Sequence, residues 1–290
     1  MRIVSLLPSA TETVCALGAR AQLVGRSHEC DFPPGVESLP AISSPRLDPR
    51  RSGRAIHDRV EELVSRGLSI YEIDAERLRA LSPDVVLTQT LCAVCAATPA
   101  DLEAALCAWT GAAPRILSLA PLSLDDVLHD VTRIGDAIGL AERGEALAAE
   151  LSARIESLTD LGASAATRPR VAALEWLDPL IAGGNWMPEL IERAGGISLF
   201  GKAGEHSPRL DWAELEAADP DVVLVVPCGF SLEQARAELG RVPRLQRFHT
   251  AVLDGNQYFN RPGPRIVESL EILLGVLHPE LTPNQGARAP

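Results

Sequence analysis

The chain has 290 residues, a formal net charge of −12 and 46% hydrophobic residues, enough for one large domain or two lobes with full cores. An acidic chain without a basic stripe is a poor partner for nucleic acid or an anionic membrane. No run approaches the roughly 18 apolar residues of a membrane span, and six cysteines in this length do not make a disulfide scaffold.

Residues 2–7 read as a buried strand stopped by Pro8. Ser9-Ala-Thr-Glu12 reads as a capping box that opens a helix to Leu17, with Gly18 as its left-handed stop. The N–H groups of that helix start then face out of the carboxyl edge of the sheet, where open α/β proteins bind ligands. A second strand, 22–26, runs into Ser27-His28-Glu29-Cys30-Asp31-Phe32-Pro33-Pro34. Residues 35–55 read as irregular and 56–66 as a helix. From Asp74 to Leu87 the pattern is an Asp N-cap, a short helix, a Pro-Asp turn and a buried strand ending at Thr88-Gln89. Cys92-Ala-Val-Cys95 follows at once, so two cysteine-bearing loops leave one sheet edge. A helix over 99–110 and a strand over 115–119 complete a first lobe.

Ser123 and Asp126 open the next element as cap and capping-box carboxylate. Leu124, Val127, Leu128, Val131, Ile134, Ile138, Leu147, Leu151, Ile155 and Leu158 then recur mostly at steps of three, four or seven, the mark of one helix face. The spacing predicts a rod over 123–160, about 55 Å long at 1.5 Å per residue. Gly135, Gly139 and Gly144 mark where it would bend or break. A strand over 170–176, the loop Gly183-Gly184-Asn185-Trp186, a helix over 187–194 stopped by Gly195-Gly196, and the loop Glu205-His206-Ser207-Pro208 follow. Asp211 to Leu224 repeats the Asp74 to Leu87 device, with Asp, Leu, Ala, Pro-Asp and Val-Val-Leu in register, and ends in Pro227-Cys228-Gly229-Phe230. A strand over 250–253 leads through Tyr258-Phe259-Asn260-Arg261-Pro262-Gly263-Pro264-Arg265 to a helix over 265–277. The repeat and the rod together predict an α/β protein of two Rossmann-like lobes, 1–120 and 163–279. One long backbone helix, 121–162, joins them, a ligand cleft lies between them, and 280–290 form a tail.

Aromatics are scarce, at four Trp, two Tyr and five Phe. Phe32, Trp176, Trp186, Phe230, Tyr258 and Phe259 all fall in strand-end loops, which suits a grip on a broad, flat, partly apolar ligand. His28, Glu29, Cys30, Cys92, Cys95 and His206 are metal-ligand types. Their pattern admits a zinc or iron site, a side chain offered to the metal of a bound cofactor, or plain buried thiols and a turn histidine. Cys15 and Cys107 read as core, and Cys228 fits either role. Arg261 and Arg265 flank a Pro-Gly-Pro turn and can meet ligand carboxylates, phosphates or surface acids. There is no GxSxG, P-loop, GxGxxG or HExxH, and nothing nominates a nucleophile with its base.

Ile3-Val-Ser-Leu-Leu-Pro-Ser-Ala-Thr-Glu12, Leu23-Val-Gly25 with Asp31-Phe-Pro-Pro34, the Pro-Asp-Val-Val-Leu strand and Pro264-Arg265-Ile266 together resemble the helical-backbone substrate-binding proteins. These serve ABC importers of vitamin B12, iron–siderophores and haem. The resemblance runs over about 2–279 and is closest to the B12-binding members. It implies a small-molecule ligand, a cobalamin or other corrinoid, and an ABC permease as partner. It implies ligand contacts from Pro8, Ser9, Glu12, His28, Glu29, Phe32, Gln89, Asn185, Trp186, His206, Phe230, Tyr258, Phe259, Arg261 and Arg265. His28-Glu-Cys30, the CxxC and His206-Ser-Pro208 depart from the exported members, and the apolar N-terminal stretch is too short for a leader. The sequence as written is therefore expected in the cytoplasm, or in the periplasm after removal of a leader. The expectation is a non-enzymatic corrinoid-binding protein. The alternatives are a Zn or Fe protein using Cys30, Cys92, Cys95, His28 and His206, and a thiol-dependent corrinoid-processing enzyme.

Overall fold

The computed structural model describes residues 1–66, 68–89 and 113–282. Cys92, Cys95, Cys107 and the helix expected over 99–110 lie outside the described residues. The chain divides into two units: Met1–Arg51 with Asp58–Pro121 and Asp125–Glu150, and Ser52–His57 with Leu122–Leu124 and Leu151–Pro290.

The first unit is built on a parallel sheet in the order β2-β1-β5-β6, from β1 (Ile3–Ser5), β2 (Leu23–Arg26), β5 (Val85–Gln89) and β6 (Arg115–Leu119). Every residue of β1 and β5 is buried, as expected of parallel strands covered on both faces. Ile3, Val85 and Leu87 enter one apolar cluster with Val14, Leu17 and Ile134. Their neighbours Val4 and Val86 enter the other, with Ile42, Leu63 and Leu78. At about 1.5–3 kcal/mol for each such buried side chain, these two layers are the main stabilising term of the unit. The segment read as irregular contains β3 (Ser43–Pro45), which pairs antiparallel with β4 (Tyr71–Ile73). The helix after it, α2 (Gly53–Ser65), starts earlier than its apolar pattern shows.

The helix after β1, α1, is Pro8–Ala16, so the Ser9 capping box is not formed. Pro8 takes the first helical position, where its missing N–H costs nothing, and Leu7 becomes the N-cap with no side-chain bond. Gly18, at φ 76°, does end the helix as expected. Its N–H reaches Cys15 O at 2.9 Å and Ala19 N–H reaches Val14 O at 3.0 Å, the paired bonds of a Schellman stop.

The second unit repeats the first. Its sheet runs β11-β10-β7-β8, from β7 (Arg170–Leu177), β8 (Leu180–Ala182), β10 (Val222–Val225) and β11 (Thr250–Val252), with β9 (Ile197–Ser198) also on β7. Only β8 is antiparallel. The repeated sequence device is a repeated structure. Asp74 caps α3 (Ala75–Leu81) and Asp211 caps α6 (Trp212–Ala218). Each helix stops on a residue in the left-handed region, Ser82 at φ 41° and Asp219 at φ 44°. Each Pro-Asp turn then docks on the start of the neighbouring strand: Arg2 N–H donates to Asp84 Oδ2 and Arg170 N–H to Asp221 Oδ2, both at 2.7 Å.

The predicted rod is two helices, α4 (Leu124–Ala137) and α5 (Ala141–Ala163). Gly139 sits at φ 73° between them. Leu140 N–H reaches back to Gly135 O at 2.7 Å and Gly139 N–H to Asp136 O at 3.1 Å, a second Schellman stop. The continuous element is thus the 23 residues of α5, roughly 35 Å at 1.5 Å per residue. The first part of α5 belongs to one unit and the remainder, from Leu151, to the other.

Candidate functional site

Parallel strands send their carboxyl ends to one edge of a sheet, and the loops leaving that edge carry the candidate residues in each unit. In the first unit these are the 6–12 turn, the 27–32 loop and the end of β5. Ser9 and Glu12 lie on α1 and are buried, while Pro8 is half-buried. Gln89, the last residue of β5, is buried.

The 27–32 loop and the β3–β4 hairpin form a polar network. Ser43 Oγ lies 2.8 Å from His28 Nδ1, accepts the His28 N–H at 3.2 Å, and donates to Ser27 Oγ at 3.2 Å. Tyr71 OH donates to Glu29 Oε1 at 3.1 Å, and its ring lies 5.4 Å from the imidazole. His28 Nε2 is 4.0 Å from the same Glu29 oxygen. Burial, followed by the charge of Arg26, pushes the His28 pKa from its ordinary 6.5 down to about 4. The ring is therefore neutral at pH 7, the form that binds metals and packs against apolar ligands. Phe32, at 36% exposure, is the one large aromatic this loop shows to solvent.

Cys30 is placed differently. It is fully buried and accepts the Thr11 hydroxyl at 3.1 Å, a packed thiol of the first unit. Cys15 is half-buried against the apolar cluster that holds Ile3 and Val14, and its pKa is raised, chiefly by burial, with Arg20 opposing the shift and Glu12 adding to it. Among the described residues no group of three or more His, Cys, Asp or Glu is placed to hold a metal ion.

In the second unit the edge is formed by the end of β7 and the loops 183–186, 205–208, 226–231 and 253–265. Trp176 meets Phe230 edge-on at 5.2 Å. Trp186 is buried, its Nε1–H donating to Phe259 O at 3.0 Å, and Phe259 is buried beneath it. These two aromatics cement loops to one another, a job their strand-end position does not reveal. Asn185 adopts φ 53°, and its loop pairs with the next one through Asn185 N–H to Glu205 O at 2.7 Å. His206 is exposed. Trp176 Nε1 and Asn185 Oδ1 are buried atoms without a protein hydrogen-bond partner, as groups that await a ligand often are.

Tyr258 is half-buried in a π-helical turn over Gly255–Phe259. Arg261 and Arg265 are 3% and 6% exposed. The Arg265 guanidinium lies 5.2 Å from the Tyr258 ring, and its Nη1 is 3.4 Å from Gln257 Oε1. Cys228 keeps an exposed thiol that donates to Asn260 Oδ1 at 3.1 Å.

Two residues that the sequence does not single out join these loops to one another. Ser207 Oγ donates to Glu175 Oε2 in a short bond and accepts the Gly184 N–H at 3.2 Å. Glu175 O accepts the Cys228 N–H at 3.1 Å. Glu175 thereby gathers three loops at the end of β7. A carboxylate inside an otherwise apolar strand, Val171-Ala-Ala-Leu-Glu175, was the available signal.

Comparison with known proteins fits this architecture. The family model described as periplasmic binding protein matches residues 3–260. A cobalamin-binding protein of Halobacterium salinarum is 26% identical over 287 residues, covering 96% of this chain and 69% of its own. The crystal structure of a periplasmic heme-binding protein from Pseudomonas aeruginosa superposes with TM-score 0.71 at 23% identity, over 96% of this chain and 92% of that one. That of the periplasmic vitamin B12-binding protein of Vibrio cholerae gives TM-score 0.66 at 20% identity, over 98% of each chain. With its parallel α/β units and a family match over nearly its whole length, the chain belongs to the periplasmic binding protein family.

Proposed function

We propose that this chain is the substrate-binding component of an ABC importer and that its cargo is a corrinoid of the vitamin B12 type. The observation that carries the reading is the 26% identity to a cobalamin-binding protein across 96% of the chain. The chemistry of the edges supports it. In the first unit the exposed Phe32 offers an apolar face, and in the second the half-buried Trp176, backed edge-on by the buried Phe230, offers another. In the second unit the Trp176 indole N–H and Asn185 Oδ1, buried without a protein hydrogen-bond partner, suit the amide groups of a corrinoid rim. The role is carriage and needs no catalytic residue. No helix among the described residues is long and apolar enough to cross a membrane, so transport rests on a permease partner.

Heme is the second reading, favoured by the heme-binding protein that superposes at TM-score 0.71. In either case the neutral His28 imidazole is the side chain best suited to approach the bound metal. Cys30 is not suited to that role, since it lies under Thr11.

Titration of the reduced chain with cyanocobalamin and, separately, with hemin tests the proposal through tryptophan fluorescence and visible absorbance. Saturable quenching by cyanocobalamin at micromolar concentration or below is expected. The corrin spectrum should stay chemically unchanged over hours with reductant present. Absence of quenching by the corrinoid overturns the proposal, and progressive bleaching of the corrin would turn it toward a processing enzyme.

A further inference from the structure

We infer that the first turn of α2 is a strap laid over the indole edge of Trp176, that Glu238 is its catch, and that a cargo group reaching the Trp176 N–H has to lift it. The inference rests on the reading above in one respect, that Trp176 meets the cargo.

A buried carboxylate is the starting point. Helix α7 (Leu232–Gly240) buries Ala235 and Glu238 on one face. Glu238 is 3% exposed. A charge that deep in a fold is retained only with partners. Arg241 Nη1, one turn on, donates to its Oε2 at 2.8 Å. Its Oε1 accepts the Gly53 N–H at 3.0 Å.

Gly53 opens α2, and the first N–H groups of a helix have no partner inside it. Ser52 answers one of them, its Oγ accepting Ala55 N–H at 3.4 Å. Glu238 answers Gly53, which puts a negative charge at the positive end of the helix. The fit is close, since a Cβ on Gly53 would lie 2.7 Å from Glu238 Oε1. The turn so held, Ser52–His57, is counted in the second unit, as Trp176 and Glu238 are.

The catch lies beside the aromatic. The same Cβ would lie 3.6 Å from Trp176 Cε2, the ring atom bonded to Nε1. Nε1 is buried there without a protein hydrogen-bond partner. Covering a donor without giving it an acceptor is a cost of the closed strap, and a cargo carbonyl at Nε1 relieves it. The closed strap and an occupied N–H therefore compete, and the strength of the Glu238 catch sets how often the indole edge is open.

Hydrogen exchange and ligand titration of the reduced full-length chain test this, in the native protein and in Glu238→Ala. Without cargo, Glu238→Ala should speed exchange of the 52–57 amides about tenfold or more and leave 60–65 as before. Saturating cyanocobalamin should speed exchange of 52–57 in the native chain. Because cargo competes with the catch, Glu238→Ala should bind cyanocobalamin about threefold or more tighter, read by tryptophan quenching. A catch with only a structural role would weaken binding or leave it unchanged, which overturns the inference. Unchanged or slower exchange of 52–57 with cargo bound overturns it too. Should Glu238→Ala fail to fold, Gly53→Ala crowds the same carboxylate: faster exchange with tighter binding upholds the strap, and their absence overturns it. Failure of the native chain to bind cyanocobalamin sinks the corrinoid reading itself. Exchange in Glu238→Ala without cargo then decides the catch alone, upheld by a faster rate and overturned by an unchanged one.

Discussion

Gly184 and Ser207 touch backbone to backbone: a Cβ on Gly184 would lie 2.6 Å from Ser207 Cα, with no flexible side chain there to yield. The contact brings the 183–186 and 205–208 loops together and places Ser207 Oγ where it receives Gly184 N–H and reaches Glu175. Gly184→Ala is therefore expected to lower stability by about 1–3 kcal/mol through overpacking and to weaken ligand binding as well. Urea denaturation and ligand titration on the same preparation check it, and a variant with native stability and affinity would contradict it.

The turn that divides α4 from α5 separates two reasons for conserving space at a glycine. A Cβ at Gly144 would meet Gly135 Cα at 3.2 Å, and one at Gly135 would meet Gly144 Cα at 2.8 Å, so the helices cross on their backbones. Gly139 has nothing within 4 Å but holds φ 73°. Gly139→Ala should cost about 1 kcal/mol, and Gly139→Asn less, because asparagine tolerates the left-handed region. Gly135→Ala and Gly144→Ala should cost about 1–3 kcal/mol, with no rescue by asparagine. Thermal melts of these four variants, with Gly135→Asn and Gly144→Asn beside them, order these costs.

The paired Pro-Asp docks give a symmetrical prediction. Asp84 and Asp221 each take a strand-opening N–H at 2.7 Å, from Arg2 and Arg170. Both aspartates are exposed, so solvent reduces each charge-assisted bond to about 1 kcal/mol. Asp84→Ala and Asp221→Ala should each lower the urea midpoint by a similar small amount, and their double variant should show the sum.

His28 makes stability depend on pH. Its folded pKa, about 4, lies below the ordinary 6.5 of an unfolded histidine, so the unfolded chain binds the extra proton between those values. Stability present above pH 6.5 is thus lost as pH falls toward 4, by an amount on the order of 3 kcal/mol. His28→Gln, which can still meet Ser43, should flatten this part of the profile. Denaturation midpoints from pH 4 to 7.5 that fall equally in both proteins would contradict the assignment.

The repeat was legible because each of its parts has a local cause: an aspartate cap, a Pro-Asp turn and a Val-Val-Leu strand, all of which the two units realise. The break in the rod was legible at Gly139, which turns the backbone at φ 73°, and in the apolar positions, which skip from Ile138 to Leu147. The Ser9 box does not form because Pro8 takes the first helical position, which moves the N-cap two residues back to Leu7. Site aromatics are harder to read, since a strand-end loop can pack on its neighbour as Trp186 does on Phe259. Cys30 looked like a ligand beside His28, yet Thr11, nineteen residues earlier, covers it. Glu175 and Ser207 lie 32 residues apart, and nothing local links them.

Equilibrium dialysis of the reduced full-length chain against cyanocobalamin, with hemin in a parallel cell, tests the central claim most directly. The account predicts saturable uptake of one corrinoid per chain with a dissociation constant of about 1 μM or tighter, and weaker uptake of hemin. Saturable uptake of hemin with none of cyanocobalamin would contradict it.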